Sequence, residues 1–304
     1  MSDSAAMQTL ATPPATALAS ARSDSPWRRT LRRFLRHRLA VLSLVLLALM
    51  TLAAAFAPLI DRYPPSELNL DAMSQAPSAA HWLGTDTTGR DVWSRTLHAG
   101  RVSLSVGLVA VGISTLVGLL VGGIAGYAGG RVDLLAMRVT DMVMAFPPLV
   151  LIITVASVLG PSIYNTMLVI GLLSWPGIAR LVRGQFLSLR EQQFVLAARS
   201  TGVAPPSILL RHLLPNVLGT LSVAATLGVA HAILQEAALS FLGLGVQSPT
   251  PSWGNMLRDA QTQTILESMP WLWLTPGLMI ALAVLSINFI GDGLRDALDP
   301  RANL

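Results

Sequence analysis

The histidines of this chain are the side chains best suited to proton transfer or metal binding, but their spacing supports neither role. Five of them are scattered along the 304 residues: His37, His81, His98, His212 and His231. The chain contains no HExxH pair, no GxSxG nucleophile turn and no phosphate loop ending in Gly-Lys. It also has no cysteine, which excludes disulfides, thiolate metal sites and cysteine catalysis. We therefore expect no catalytic residue, no bound metal and no cofactor in this chain.

Residues 191–216, EQQFVLAARSTGVAPPSILLRHLLPN, form the one long polar interruption in the apolar second half of the chain. The first ten have helical character, and Gly202 can adopt the left-handed conformation that ends a helix. Pro205 and Pro206 suit the first turn of a second helix, and Pro215 marks its end at the next apolar span. Such a unit either lies on the membrane surface, with its arginines at lipid phosphates, or docks on a soluble partner. These residues alone favour neither alternative.

The elements that hold this segment are predicted to be transmembrane helices. The chain is 52% hydrophobic and only 12% charged, against about 25% charged residues in soluble domains. Its apolar residues form long blocks, which predicts an all-α polytopic membrane protein. We predict six spans: 39–60, 102–127, 141–159, 163–182, 216–242 and 271–290. The first resembles a signal peptide at Ala55-Phe56-Ala57, but its apolar run exceeds the usual ~7–15 residues.

The arginines predict the orientation of these spans. With the N-terminus in the cytoplasm, 16 of the 21 basic residues are cytoplasmic and 5 lie outside, as the positive-inside rule requires. Both termini and the polar segment are then cytoplasmic. Because the arginines flank apolar spans, the net charge of +5 indicates a lipid bilayer rather than nucleic acid.

This topology divides the chain into four parts. Residues 1–26 form a disordered cytoplasmic tail, and residues 27–100 comprise a basic lead-in, the first span and an outer loop. Residues 101–294 form a five-helix core with the polar segment as cytoplasmic loop 190–215. Residues 295–304 are a second cytoplasmic tail.

The two outer loops contain residues that predict an interfacial helix. Asp86 can cap a short helix in which Asp91 and Arg95 form an i,i+4 ion pair. We expect that helix to lie along the outer membrane interface, with Trp93 at headgroup depth. In the second loop, Trp253 is another candidate for the interface.

Small residues and prolines within the spans predict how the helices pack. Gly118, Gly122 and Gly126 recur at four-residue steps, which lets helix backbones approach closely in a membrane. Pro147-Pro148 and Pro176-Gly177 are expected to kink the third and fourth spans.

Glu236 is the acidic residue placed furthest into a predicted span, near its outer end, where we expect partial burial. Two roles remain open for it: a carboxylate that faces the loop or an arginine, which we favour, or a candidate outer-gate contact of a transport path. His231, alone on the same span, is expected to be a packed neutral histidine.

The polar segment resembles the EAA loop of ABC importer permeases, whose pattern is E-A-A-x3-G-x9-I-x-L-P. The matches are Ala197, Ala198, Gly202, Leu214 and Pro215. The chain departs from the pattern at two positions, since Leu196 replaces the Glu and His212 replaces the Ile.

Motifs along residues 28–301 resemble one subfamily, the second permease subunit of dipeptide/oligopeptide (peptide/nickel) ABC importers. They include LGTDTTGRDVWSR, MAFPPLVL, WPGIARLVRGQFLSLREQQFVLAARSTG and EAALSFLGLGVQSPTPSWGNML. The resemblance implies a type I ABC importer permease fold in the inner membrane.

The same resemblance implies partners and a site. The partners are a homologous permease subunit, two cytoplasmic ATPases that bind ATP and Mg, and a periplasmic or extracellular substrate-binding protein. The implied ATPase-coupling residues are Ala197, Ala198, Arg199, Gly202, Arg211, His212, Leu214 and Pro215. The transported solute, whether dipeptide, oligopeptide or nickel chelate, is left open. The alternatives are a secondary transporter, which needs acidic residues deep in several spans, and an intramembrane enzyme, which needs a catalytic set.

Overall fold

The computed structural model describes residues 26–298, so the predicted tails 1–26 and 295–304 fall mostly outside the described residues. Within that range the regular elements are helices, apart from one bridge between Thr85 and Asp91. The helices are α1 (Pro26–Arg36), α2 (Arg38–Ala55), α3 (Ala57–Ile60), α4 (Val92–Ala128), α5 (Gly130–Met144), α6 (Pro148–Leu159), α7 (Ile163–Leu173), α8 (Trp175–Arg190), α9 (Gln193–Ser200), α10 (Pro205–Ile208), α11 (Leu214–Phe241), α12 (Trp253–Asp259), α13 (Gln263–Ser268) and α14 (Trp271–Leu298). A 3₁₀ turn (Leu70–Ala72) and a π segment (Leu209–Leu213) complete the set.

Six membrane spans fit these helices, as predicted. Among the described residues, five helical stretches are long and apolar enough to cross a membrane, and α5 with α6 makes a sixth. α5 and α6 meet at a bend of 83° around Pro147 and Pro148. α7 and α8 are separated at Ser174, and Pro176 lies in the first turn of α8. The kink predicted at Pro147-Pro148 is confirmed, and the helix predicted to kink at Pro176-Gly177 is interrupted at Ser174, two residues before the proline.

α4 and α8 pack in close contact, and the glycines at four-residue steps explain it. A Cβ atom at Gly118 would lie 2.7 Å from Ile178, and one at Gly126 would lie 2.7 Å from Phe186. A Cβ at Gly122, between them, would overlap the backbone of Ala179. The predicted close packing at small residues is confirmed.

The predicted interfacial helix is wrong, because the residues assigned to it begin α4. Asp91 caps α4 by accepting a hydrogen bond from the amide of Ser94 at 2.8 Å. No proline follows within the 37 residues of α4, so the helix continues without a break into the span. Trp93 is half-buried there and packs edge-on against Trp82.

The charged residues before α4 also pair differently from the prediction. Asp91 contacts His81, with the ring nitrogen Nδ1 and the carboxylate 2.8 Å apart. Arg95 lies instead 3.7 Å from Asp86 and 3.5 Å from Asp259. The i,i+4 ion pair is Arg90 with Asp86, at 2.6 Å.

Asp86 stabilises a turn rather than a helix end. Its carboxylate accepts hydrogen bonds from the backbone amides of Thr88 and Arg90, at 2.9 and 3.0 Å. Burial alone would raise the pKa of Asp86, but the Thr88 hydroxyl, the charge of Arg90 and these amides outweigh it. The pKa of Asp86 therefore lies below its usual value.

Trp253 lies in the core, so its predicted place at the membrane interface is wrong. Its side chain is only 2% exposed and packs in the largest cluster of apolar core residues. The indole nitrogen donates to the carbonyl of Thr96 at 3.3 Å. A Cβ atom at Gly100 would lie 3.3 Å from the ring, and Gly254, the next residue, lets this backbone approach that of Ala237 in α11.

Candidate functional site

The segment predicted to couple to an ATPase (residues 190–215), called the coupling segment, contains α9, which ends in a hydrogen-bonded glycine turn. Gly202 has φ +77°, the left-handed conformation predicted for it. The amide of Val203 donates to the carbonyl of Ala198 at 3.1 Å, and the amide of Gly202 to that of Arg199 at 3.0 Å. These two bonds form a Schellman motif, which satisfies carbonyls that a helix end otherwise leaves free.

One face of the coupling segment is buried against the spans. Val195, Ala198, Ile208 and Leu213 pack in one apolar cluster with α8 and with the start of α11. Phe186 of α8 is a central member of that cluster. The segment is therefore fixed to the span helices through its own apolar residues.

The opposite face of the coupling segment is exposed and mixes polar with apolar side chains. Phe194 and Leu196 are each 44% exposed, and Leu210 is 64% exposed. The exposed residues between and around them are Glu191, Gln192, Gln193, Ala197, Arg199, Ser200, Thr201, Gly202, Ala204, Pro205, Pro206, Arg211 and Pro215. Of the two motif alanines, Ala197 therefore belongs to the exposed face and Ala198 to the buried one.

The second half of the segment was predicted to be a helix that ends at Pro215, and the structure differs from that prediction. Pro205 and Pro206 begin α10 as expected, but the helical path does not end at Pro215. It continues as one 37-residue stretch from Pro205 to Phe241. The predicted end at Pro215 is wrong.

A π turn explains how the helix passes this proline. Proline has no N–H and its ring clashes with the carbonyl four residues earlier, so a regular α-helix would break or kink there. Residues Leu209–Leu213 adopt π geometry, with the amide of Leu214 bonded to the carbonyl of Leu209. The wider turn accommodates the ring. The side chain of Asn216 donates to the carbonyl of His212 at 2.7 Å, which adds a bond at the widened turn.

The two positions that depart from the EAA pattern differ in their surroundings. Leu196 is exposed, so its apolar side chain adds to the exposed face of the coupling segment. His212 is half-buried, and its Nδ1 is a buried atom without a hydrogen-bond partner among the described residues. That environment suits the isoleucine of the pattern better than an imidazole.

Two arginines connect the segment to neighbouring helices. The guanidinium of Arg199 lies over the ring of Tyr127, 5.2 Å from its centre. Arg190 donates to the carboxylate of Glu191 at 2.9 Å and to the carbonyl of Gly126 at 3.4 Å. The Arg199–Tyr127 and Arg190–Gly126 contacts join the segment to the end of α4.

Glu236 is fully buried, so the expectation of partial burial is wrong. Its carboxylate accepts hydrogen bonds from the hydroxyls of Ser103 at 2.8 Å and Ser240 at 2.7 Å. Neither bond comes from an arginine, so of the two partners in the interpretation that we favoured, the loop or an arginine, only the loop remains. The hydroxyls in turn accept from the amides of Trp253 and Val246, at 3.2 and 3.0 Å. This serine cage (Glu236, Ser103, Ser240) holds the predicted outer loop to α4 and α11, and the outer-gate role stays a prediction.

His231 is exposed rather than packed, so that expectation is also wrong. It lies on α11 beside a cleft between the spans. Among the described residues no group of three or more His, Asp or Glu side chains could hold a metal ion.

Sequence reasoning overlooked several residues that the structure brings into these sites. Phe194 and Leu210 form the apolar part of the exposed face together with Leu196. The signal for both in the sequence was an apolar residue outside the helical stripe that is buried. Ser240 lies one helical turn after Glu236, which local spacing could have indicated. Ser103 is 133 positions away from Glu236, and nothing local in the sequence predicts that contact.

Two known protein families together match most of the chain. Residues 118–304 match the family described as binding-protein-dependent transport system inner membrane component. Residues 25–77 match the N-terminal transmembrane domain of oligopeptide transport permease C.

Several curated proteins are similar over nearly their full length. A putative peptide permease protein of Brucella suis is 50% identical, with 93% of both chains covered. The dipeptide transport system permease protein DppC of Alkalihalophilus pseudofirmus is 44% identical, with 91% of this chain and 90% of that protein covered. The oligopeptide transport system permease protein OppC of Haemophilus influenzae is 43% identical, with 91% and 89% covered.

A solved structure shares the fold. The structure is that of the MetNI methionine ABC transporter in an inward-facing conformation, and one of its chains superposes with a TM-score of 0.54 at 19% identity. The superposition covers 67% of this chain and 96% of that one, so the fold is that of a type I ABC importer permease. This chain belongs to the family of binding-protein-dependent transport system inner membrane components and is a multi-pass permease subunit of an ABC transporter.

Proposed function

We propose that this chain forms half of the translocation path of an ATP-driven peptide importer and docks on a cytoplasmic ATPase through the coupling segment. The observation that carries the docking role is the two-faced geometry of that segment. Its buried face is fixed to α8 and α11 through Val195, Ala198, Ile208 and Leu213. On its other face, Phe194, Leu196 and Leu210 are exposed, and they are the side chains that would contact the ATPase.

This geometry favours a protein groove over a lipid surface. A helix that lies on a membrane needs a continuous apolar face directed at the acyl chains. In the coupling segment, the continuous apolar stripe is buried in the protein's own core. The exposed face alternates apolar side chains with Glu191, Gln192 and Gln193, which suits the mixed chemistry of a protein interface.

The names of the relatives support a peptide as the solute. They are described as peptide, dipeptide, oligopeptide and glutathione permeases. The proposed assembly contains a homologous permease subunit, two ATPases that bind ATP and Mg, and an extracytoplasmic substrate-binding protein. The coupling segment and both chain ends lie on the cytoplasmic side in this proposal, as the arginine distribution predicts.

The docking role is tested with a double substitution on the exposed face. Phe194→Ala with Leu210→Ala should reduce co-purification of the ATPase subunits and ATP-dependent peptide uptake, with the chain still present in the membrane. The control is Leu266→Ala, which truncates a comparably exposed leucine of α13 in the predicted outer loop. Undiminished ATPase binding and uptake in the double variant would contradict the docking role. Uptake that persists with catalytically inactive ATPases would contradict an ATP-driven mechanism.

A further inference from the structure

A cleft of about 310 Å³ opens between the spans, and its lining includes no residue of the coupling segment or the serine cage. Its walls come from α4, α11 and the two proline-broken spans. Met144 and Pro148 line it at the α5–α6 bend, and Ser174 and Pro176 line it at the α7–α8 break. The cleft therefore lies where the span helices are interrupted, and its volume lies in the ligand-pocket range of about 300–1,000 Å³.

The lining of the cleft is apolar except for a few hydrogen-bonding side chains. These are Ser114, Ser174, His231 and Gln235, and no Asp, Glu or Arg side chain lines it. The hydroxyl of Ser114 already donates to the carbonyl of Val111 at 3.1 Å. His231 and Gln235 are four residues apart on α11 and thus share one face of that helix. They present the polar strip of an otherwise apolar wall.

We infer that this cleft is a subsite for an uncharged stretch of the transported peptide, an inference that rests on the proposed function. The apolar walls contact the peptide's side chains, and Gln235 and His231 exchange hydrogen bonds with its backbone. A glutamine amide offers a donor and an acceptor, the same pair that a peptide group presents. A peptide group without such partners in an apolar cleft would lose its hydrogen bonds to water without replacement.

The hydrogen-bonding pair distinguishes this occupant from a lipid chain. An acyl chain has no group with which an amide or imidazole could form a hydrogen bond. Beside such a chain, Gln235 and His231 would lack hydrogen-bond partners in an apolar environment. The absence of ionised side chains in the lining equally disfavours a charged segment, which would be desolvated without a counter-ion. A backbone contact of this kind serves many peptide sequences alike, because each residue carries the same amide.

A glycine in the cleft wall provides a steric test. A Cβ atom at Gly177 would meet nothing within 4 Å, although Gly177 lines the cleft. The first atom of a leucine side chain therefore has room there, and the rest of the side chain is expected to take up part of the cleft. Gly184, two turns further along α8, also has nothing within 4 Å and does not line the cleft, which makes Gly184→Leu the matched control.

The experiment uses the complete transporter, with partner permease, ATPases and binding protein, in proteoliposomes supplied with radiolabelled tri-alanine. Gly177→Leu should lower ATP-dependent uptake by about 10-fold or more, as expected when a pocket loses room for a substrate group. Gly184→Leu should transport as the wild type does. Gln235→Leu should lower uptake by about 3- to 10-fold through the lost hydrogen bonds, and His231→Gln, which keeps bonding capacity, should retain more uptake than His231→Leu.

Each other outcome overturns the inference in a recognisable way. Equal uptake by Gly177→Leu and the wild type would mean that peptide does not use the cleft. Loss of co-purification with the partner permease in Gly177→Leu would assign the cleft to the subunit interface. Equal losses in Gly177→Leu and Gly184→Leu would remove the steric argument. A wild-type complex that imports no tri-alanine or other peptide in any combination would overturn the proposed function itself, and this subsite with it.

Discussion

Gly122 of α4 and Ala179 of α8 lie in direct backbone contact, because the missing side chain of the glycine leaves room for the carbonyl of the alanine. The neighbouring glycine, Gly123, faces a different environment. A Cβ atom there would lie 3.6 Å from the ring of Phe186, which is an ordinary van der Waals distance. Adjacent residues of one helix thus differ sharply in their tolerance of a methyl group.

Gly122→Ala should destabilise the protein by about 1–3 kcal/mol, because the added methyl group forces α4 and α8 apart. Gly123→Ala should leave stability unchanged or raise it slightly. Thermal unfolding of the purified variants in the same detergent measures both effects. Equal unfolding temperatures for the two variants would contradict the assigned helix contact.

Gly202→Asp should uncouple ATP hydrolysis from transport while the chain remains in the membrane. The substitution adds a charge to the exposed face of the coupling segment, at a backbone φ of +77° that aspartate and asparagine tolerate alike. Gly202→Asn is the matched control, since asparagine tolerates the left-handed conformation and is neutral. Uptake and ATPase rate, at equal protein level, report the result. Normal uptake by the Asp variant would remove this turn from the coupling pathway.

His212→Ile should raise the unfolding temperature. Its Nδ1 is buried without a partner among the described residues, and replacing an unpaired buried polar group by an apolar one is neutral or favourable. His98→Ile should have the opposite effect, because the Nε2 of His98 lies 2.9 Å from the Asp61 carboxylate. A lower unfolding temperature for His212→Ile would indicate that the imidazole has a partner in the assembled transporter.

Glu236→Ala should destabilise the junction between the spans and the predicted outer loop. Two buried hydroxyls, those of Ser103 and Ser240, lose their acceptor, at about 1–3 kcal/mol for each unsatisfied group. Glu236→Gln keeps one carbonyl acceptor and should lose less. The emission spectrum of the buried Trp253 is a local readout, observed in variants without the other tryptophans. An unshifted spectrum for Glu236→Ala would show that the cage does not hold the loop.

The stability contributed by Asp86 should depend on pH. Because the pKa of Asp86 is lowered by folding, its contribution is present above the unfolded pKa of about 4 and is lost as pH falls through the folded value. Asp86→Asn should therefore lower the unfolding temperature at neutral pH, and the difference from wild type should narrow in acid. Asp71→Asn, at an exposed carboxylate of the same loop, is the control. A difference that stays constant below pH 4 would contradict the assigned interactions of Asp86.

The parts of the fold that follow local rules were predictable from the sequence. Apolar runs predicted the spans, and glycine spacing at Gly118 and Gly122 predicted a close helix contact. The conformation of Gly202 and the helix start at Pro205 follow from backbone preferences alone. Each of these features depends on residues a few positions apart.

The wrong predictions concern contacts between distant parts of the chain. Trp253 was assigned to the membrane interface by its residue type, but a pocket beside Gly100 and the carbonyl of Thr96 buries it. Glu236 acquires its environment from Ser103, which belongs to another span. Pro215 would end most helices, and only the π turn before it lets the helix continue.

The unbroken helical path from Pro205 to Phe241 places the coupling segment and the serine cage on the same rod. Pro205 and Glu236 are separated along it by about 45 Å at 1.5 Å per residue. Tilting such a rod by about 10° around one end moves the other by about 8 Å over that length. On the proposed function, a partner that pushes on one end of α10–α11 would displace the loop anchored at the other, with the π turn as the one irregular point between them. In this arrangement, the transmission of movement from one side of the membrane to the other depends on the length and stiffness of the helix. It requires no series of side-chain rearrangements through the core.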